Sequence, residues 1–343
     1  MKTHRALLGI AGLVVVLVVA IFGYRHWYPE ERRGGREEML ALLPRDPSWV
    51  VFLDLEQFRK SSFLPQLLAW VPRESVEEDY AQFVKETGFN YERDLNRVAI
   101  AWSGEGTKAT SYAIAEGRLD RKKLEEYARQ SGQSINANGL SVYSLKLKNS
   151  THPSFVTFLR DDRIAWTDDP SYAALFQQAK GLEGKRDWQE HFARLSGTAV
   201  FAVLREDAAT ATALQQQAPG GFQSPQLATL ISQLQWVTIG GKPEEKNLRV
   251  VIEGESATES TLNQLKEFLQ GILIMAQAGL NGPRNRRQMD PQMREAYLEL
   301  LKSAEVEKVD RGTGKSVRLV FEVTPGFMEA VKTTNAAVPT NKH

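Results

Sequence analysis

Few residues of this chain have the types and spacing that chemistry needs, and each is judged by what must surround it. GTGKS at 312–316 resembles the end of a phosphate-binding loop, in which backbone amides and a lysine cradle a nucleotide. Such a loop needs a glycine five residues before Gly314, where Val309 stands, and a helix after it, where SVRLVFEV alternates as a strand. The segment is read as a hairpin turn. The five histidines are His4, His26, His152, His191 and His343, none four residues from another, and cysteine is absent. That removes thiol nucleophiles, disulfides and Cys-based zinc or iron–sulfur sites. HExxH and GxSxG are missing as well. Asp161, Asp162, Asp168 and Asp169 have the oxygen chemistry of a hard-cation site but not the glycine and spacing of a calcium loop. They read as a polar hairpin turn followed by a helix cap. The expectation is no catalytic, cofactor or metal residue.

One cationic group remains: Arg284, Arg286 and Arg287, placed on a loop over 279–291. Such a patch suits an anion, a lipid headgroup or an acidic partner. Trp49, Trp102, Trp166 and Trp236 fall on predicted strands as core or sheet-face residues; a half-open sheet would turn them into the lining of a groove. Aromatics do not alternate with the arginines as in single-strand nucleic-acid binders. The formal net charge is +1, from 43 basic and 42 acidic side chains, so no global field attracts nucleic acid.

What positions all of this is an address. Ala6 to Tyr24 runs 19 residues without a charge, between Arg5 and Arg25. At about 1.5 Å per helical residue it reaches roughly 28 Å, close to a bilayer's hydrocarbon core. Ala6, Leu13, Val16, Ile21 and Phe22 lie in the apolar run, and Tyr24 and Trp27 sit where an interfacial aromatic belt forms. The expectation is an uncleaved single-pass anchor in the bacterial inner (cytoplasmic) membrane. It leaves a five-residue cytoplasmic tail and puts the main domain outside the cytoplasm. Residues 25–43 form a charged juxtamembrane linker with a short helix from Arg36 to Leu43.

The rest is globular in composition, 42% hydrophobic and 25% charged. Strands are expected at 49–53, 95–102, 111–116, 140–147, 155–159 and 163–167, and again at 198–204, 234–240, 248–253, 306–309 and 316–323. Helices come between them, capped by Asp54 and Asp120; the longest covers 258–278 with an apolar stripe of Leu262, Leu265, Phe268, Leu269, Ile272 and Leu273. The two sets correspond: WVVFLDL with TAVFAVL, Leu95, Val98 and Ile100 with Leu234, Val237 and Ile239, Glu116-Gly117 with Glu253-Gly254. The fold class is therefore α+β. An amino-terminal transmembrane helix precedes two ferredoxin-like (split βαβ) repeats with antiparallel sheets, at 44–182 and 183–333, and a disordered tail at 334–343.

LLPRDPSWVVFLDLEQFRKSSFLPQLL at 42–68 resembles the opening segment of a family of bacterial membrane-anchored proteins with a domain of unknown function. Leu43, Pro44, Asp46, Asp54, Leu55, Arg59, Ser62, Phe63 and Leu64 carry the likeness, and TDDPSYAAL at 167–175 looks like that family's junction after a hairpin. The resemblance implies an envelope protein and transfers no catalytic residue. The functional expectation is a non-enzymatic binding or scaffold module with a protein partner in the envelope and the bilayer as its other partner. The alternatives are a binder of lipid or another apolar ligand, in a groove between sheet and the 258–278 helix, and a hydrolase with a dispersed site.

Overall fold

The computed structural model describes residues 35–61, 63, 78–104, 110–137, 139–145, 153–169, 181–205, 225–311 and 314–336. The anchor residues Ala6, Leu13, Val16, Ile21, Phe22, Tyr24 and Trp27, residues 25–34 of the linker, and the tail beyond Ala336 lie outside this set, as does the helix expected after Asp168. No described helix is long and apolar enough to cross a membrane. The architecture is mixed α+β with antiparallel sheet, and the described residues divide into two compact units, 35–60 with 78–202, and 203–336 with Ser61 and Phe63.

The first unit opens with α1 (Gly35–Ala41), β1 (Trp49–Asp54) and α2 (Leu55–Arg59). The Asp54 carboxylate accepts from the Gln57 amide at 2.8 Å, which caps α2 where the sequence placed a cap. Then come α3 (Glu78–Thr87), α4 (Tyr91–Asp94), β2 (Leu95–Ser103), β3 (Thr110–Gly117) and α5 (Arg121–Ser131). Gly88, at φ +72°, takes the left-handed turn that ends α3. Phe83 meets Tyr127 edge-on at 5.1 Å, which joins α3 to α5. The unit continues through β4 (Gly132–Ala137), β5 (Leu140–Leu145), β6 (Ser154–Arg160), β7 (Arg163–Thr167), α6 (Arg186–Arg194) and the first residues of β8 (Val200–Arg205). Its strands run β1-β2-β3-β7-β6-β5-β4, antiparallel at every pairing.

Two expectations change here. A split βαβ unit sets its first strand beside its third; β1 instead pairs with β2, so β1, β2 and β3 form a meander. Hydrophobic periodicity is equally compatible with both orders, because it fixes faces and not neighbours. The structure also adds β4, where no strand is expected: in GQSINA only Ile135 is large and apolar, and it is half exposed on the sheet's outermost strand.

The second unit contains α7 (Pro225–Ile231), β9 (Trp236–Glu244), β10 (Asn247–Glu255), α8 (Glu259–Asn281), α9 (Pro283–Gln288), α10 (Pro291–Lys302), β11 (Glu305–Asp310), β12 (Lys315–Val323) and α11 (Pro325–Ala336). Strands run β11-β12-β10-β9, again antiparallel. The stretch between the strands expected at 234–240 and 248–253 is itself mostly strand: β9 continues to Glu244 and the reversal takes only Glu245-Lys246, with Glu245 at φ +48°. The core joins Leu227, Leu230, Leu234, Leu262, Leu265 and Val317. Leu262 and Leu265 of the stripe expected on α8 lie in this core, Leu262 fully buried.

Candidate functional site

Each unit gathers its charged side chains into a row across neighbouring strands. In the first unit the register sets Asp54 opposite Arg97, Arg97 opposite Glu116 and Glu116 opposite Arg163. Cross-strand neighbours of opposite sign attract, and the side chains follow the register. Arg97 donates to Asp54 at 3.1 Å, to Glu116 at 3.0 Å and to Glu56 at 3.4 Å. Arg163 donates to Glu116 at 2.7 Å and to Glu38 of α1 at 3.1 Å. Its side chain is 1% exposed. Gly117 follows Glu116 because the chain passes the Asp94 carbonyl so closely that a Cβ would lie 2.2 Å from that oxygen.

The second unit sets Thr238 opposite Glu253, Glu253 opposite Arg318 and Arg318 opposite Glu307. Glu253 accepts from both terminal nitrogens of Arg311, from Ser316 at 2.7 Å and from Arg318 at 3.2 Å. Burial acting alone would raise the Glu253 carboxyl, but these donors outweigh it and hold it below its ordinary 4.5. Glu38 is lowered chiefly by its bond to Arg163, and exposed Glu259 falls to about 2 between Lys308 and Lys315. A depressed carboxyl stabilises the fold above its unfolded pKa and loses that contribution as pH falls through the folded value. Urea midpoints in detergent are therefore expected to stay level from pH 7 to about 5, then drop between about 4.5 and 2. A midpoint unchanged from pH 5 to 3 would show that these pairs do not support the fold.

The remaining candidates also find protein partners. Asp161 accepts from Arg121 and Asp162 from Arg160, both at 3.1 Å. Asp168 accepts from the Ser111 amide and hydroxyl at 2.9 and 2.6 Å. No group of three His, Cys, Asp or Glu that could hold a metal occurs among the described residues. His191 is buried, its Nδ1 2.7 Å from the Asp187 carbonyl. After Gly314 the chain enters β12 and no helix, as the hairpin reading requires. Trp49 and Trp102 are brought together, 5.9 Å apart on paired strands; Trp166 lies opposite Ala113 and Trp236 opposite Glu255.

The arginine patch differs from expectation in form. Arg284, Arg286 and Arg287 lie on the short helix α9, not on a loop: Pro283 starts it at a position where its missing N–H costs nothing. Asn285 donates to the Gly279 carbonyl at 2.6 Å and ties α9 to the end of α8. Arg286 and Arg287 are exposed, and neither guanidinium meets a carboxylate among the described residues. On the preceding helix, α8 leaves Ile274 and Met275 67% and 68% exposed. The arginines were legible as a cluster in the sequence. The apolar exposure was not, because an apolar stripe does not say which of its members a neighbour covers.

No family model matches the chain, and no curated protein matches it. Among solved structures it is similar to "Structure of crystal form I of TP0453", at TM-score 0.43 and 10% identity over 90% of this chain and 99% of that one. Crystal form IV gives 0.45 and 9% over 89% and 100%, and crystal form III 0.45 and 9% over 86% and 97%. At these scores the likeness carries no argument about function.

Proposed function

We propose that this chain is a non-enzymatic binding or scaffold module of a bacterial envelope, held at the inner membrane by residues 6–24 with both folded units outside the cytoplasm. The observation that carries this reading is the closure of the two charged rows. General acid–base chemistry needs a carboxylate free to exchange protons with a bound substrate. Here Glu116 and Glu253 each spend their oxygens on guanidinium groups of the same unit. The uncharged run 6–24 and the envelope-family likeness of 42–68 support the location, and the Glu116-Gly117 and Glu253-Gly254 correspondence supports a duplicated module.

The test is topology followed by contact mapping. A carboxyl-terminal phosphatase active only outside the cytoplasm is expected to be active on full-size protein. A fluorescent protein that folds only inside is expected to stay dark. A photo-crosslinking residue at Ile135, exposed on the outermost strand of the first unit, should then give a discrete adduct in cells that a buried Ala165 replacement does not. Fluorescence without phosphatase activity would place the units in the cytoplasm and end this reading.

A further inference from the structure

The exposed side of α8 changes character along its length. Asn263, Gln264, Glu267, Gln270, Gly271, Ile274, Met275 and Ala278 fall on one helical face by their three- and four-residue spacing. Its first half is polar, as a solvated face should be. Its second half, after a half-buried Gly271, presents isoleucine, methionine and alanine to solvent. The opposite side is held: Leu280 is buried, and Gln277 donates to the Leu301 carbonyl of α10 at 2.9 Å. From Phe268 to Met289 the only charged side chains are Arg284, Arg286 and Arg287, with no acid among them. An uncharged apolar face thus ends in a cationic helix, fastened to it by the Asn285–Gly279 hydrogen bond.

We propose that the carboxyl-terminal half of α8 and α9 rest together on an anionic lipid surface, Ile274 and Met275 entering the acyl boundary and Arg286 and Arg287 meeting lipid phosphates. Apolar side chains beside unpaired arginines are the combination by which interfacial helices hold a bilayer, through buried area and attraction to anionic headgroups. A protein partner of matching shape would have to supply its own acidic group. The bilayer supplies both chemistries across one boundary. This deepens the proposed function and rests on it only in that a tether keeps these helices near a membrane.

The chain has no cysteine, so Met275→Cys carries an environment-sensitive dye as a unique label in the full-length protein, with Asn263→Cys as the control on the polar half of the same face. The protein is reconstituted into phosphatidylcholine vesicles containing one-third phosphatidylglycerol, with a brominated lipid as quencher. The dye at 275 is expected to be quenched and the dye at 263 not. Pure phosphatidylcholine, high salt, or Arg286→Gln with Arg287→Gln should remove most of that quenching, each arginine contributing about fivefold to the surface equilibrium. Equal quenching at 263 and 275, quenching indifferent to lipid charge and to the arginines, or a blue shift at 275 without quenching would each overturn the proposal. The blue shift would mean that a second copy or another protein covers the face. Protein that floats with the vesicles while the dye at 275 stays unquenched would sink this inference and leave the tether standing; protein that does not float would sink both.

Discussion

Replacing Arg163 with alanine is expected to cost the first unit about 3 kcal/mol, the lower end of the range for removing one partner of a buried ion pair. Its guanidinium is 1% exposed and bridges Glu116, itself 12% exposed, to Glu38 at 49%. Truncation leaves Glu116 dependent on Arg97 alone, with a cavity where the arginine stem packed. Glu38 is half in water and loses little, which is why the lower end applies. The control is Arg160→Ala, cross-strand from Arg163 on β6. Arg160 is 40% exposed and pairs with Asp162 at 40% and with Glu38 at 49%, so its loss should stay under about 1 kcal/mol. Arg163→Lys should fall between the two, because one ammonium cannot reproduce the fork that reaches both carboxylates. Urea unfolding followed by circular dichroism gives all three values. If Arg163→Ala and Arg160→Ala agree within error, the row does not hold the unit together.

That row was half legible. The strands around 95–102 and 111–116 and the turn between them imply that Arg97 meets Glu116, because a hairpin fixes its own register. Arg163 could not be added, since nothing local says that β7 returns to β3 after two further strands. The second unit shows the same boundary. The aligned apolar positions, Val98 with Val237 and Ile100 with Ile239, imply that Glu253 faces Trp236 as Glu116 faces Arg97. It faces Thr238, two residues along. An offset of two keeps every side chain on its face, so the pattern read from the sequence survives a register it could not supply. Caps were read correctly at Asp54 and Asp120, both of which accept amide hydrogen bonds three residues on, because capping is local. The orders of strands and the covered half of α8 were not, because both depend on partners distant in sequence.

Residues 25–43 raise the same question for the amino-terminal side. Read from composition they are a solvated linker, since acids and bases alternate along them. Their described part is instead folded into the first unit: Met39 and Leu43 are fully buried and Leu40 is 2% exposed. The charges that made the segment look solvated are used inward, Glu38 toward Arg163 and Arg36 toward aromatic rings. A charged residue is counted as polar in any composition, although a guanidinium stacks on an aromatic face as readily as it meets water.

The decisive variant for that segment is Phe201→Ala. Phe201 is 1% exposed. It stacks on Phe52 at 5.2 Å and touches Phe192 at 5.7 Å, and Phe192 touches Trp188 at 5.7 Å. The Arg36 guanidinium lies 4.7 Å over the Phe201 ring and donates to the Leu195 and Phe192 carbonyls at 3.1 and 3.0 Å. One arginine of α1 thus closes the aromatic cluster and adds a charged donor to two carbonyls at the end of α6, which also accept from Leu195 N–H and from Thr198. Phe201→Ala should cost about 3–5 kcal/mol, as for other phenylalanines removed from a packed interior. Arg36→Ala should cost about 1–3 kcal/mol, from its charge-assisted hydrogen bonds and the lost ring contact. The two share a contact, so they should not add: a coupling of about 1 kcal/mol is expected in the double-mutant cycle. Hydrogen exchange should show the α1 amides losing protection in either variant, because the ring and the guanidinium hold that helix jointly. An additive cycle, with α1 exchange unchanged by Phe201→Ala, would return the segment to the role its composition suggests, a charged spacer beside the unit. A coupled one makes it the unit's first structural element, so that whatever holds the amino terminus also fixes where the Arg97–Glu116–Arg163 row begins.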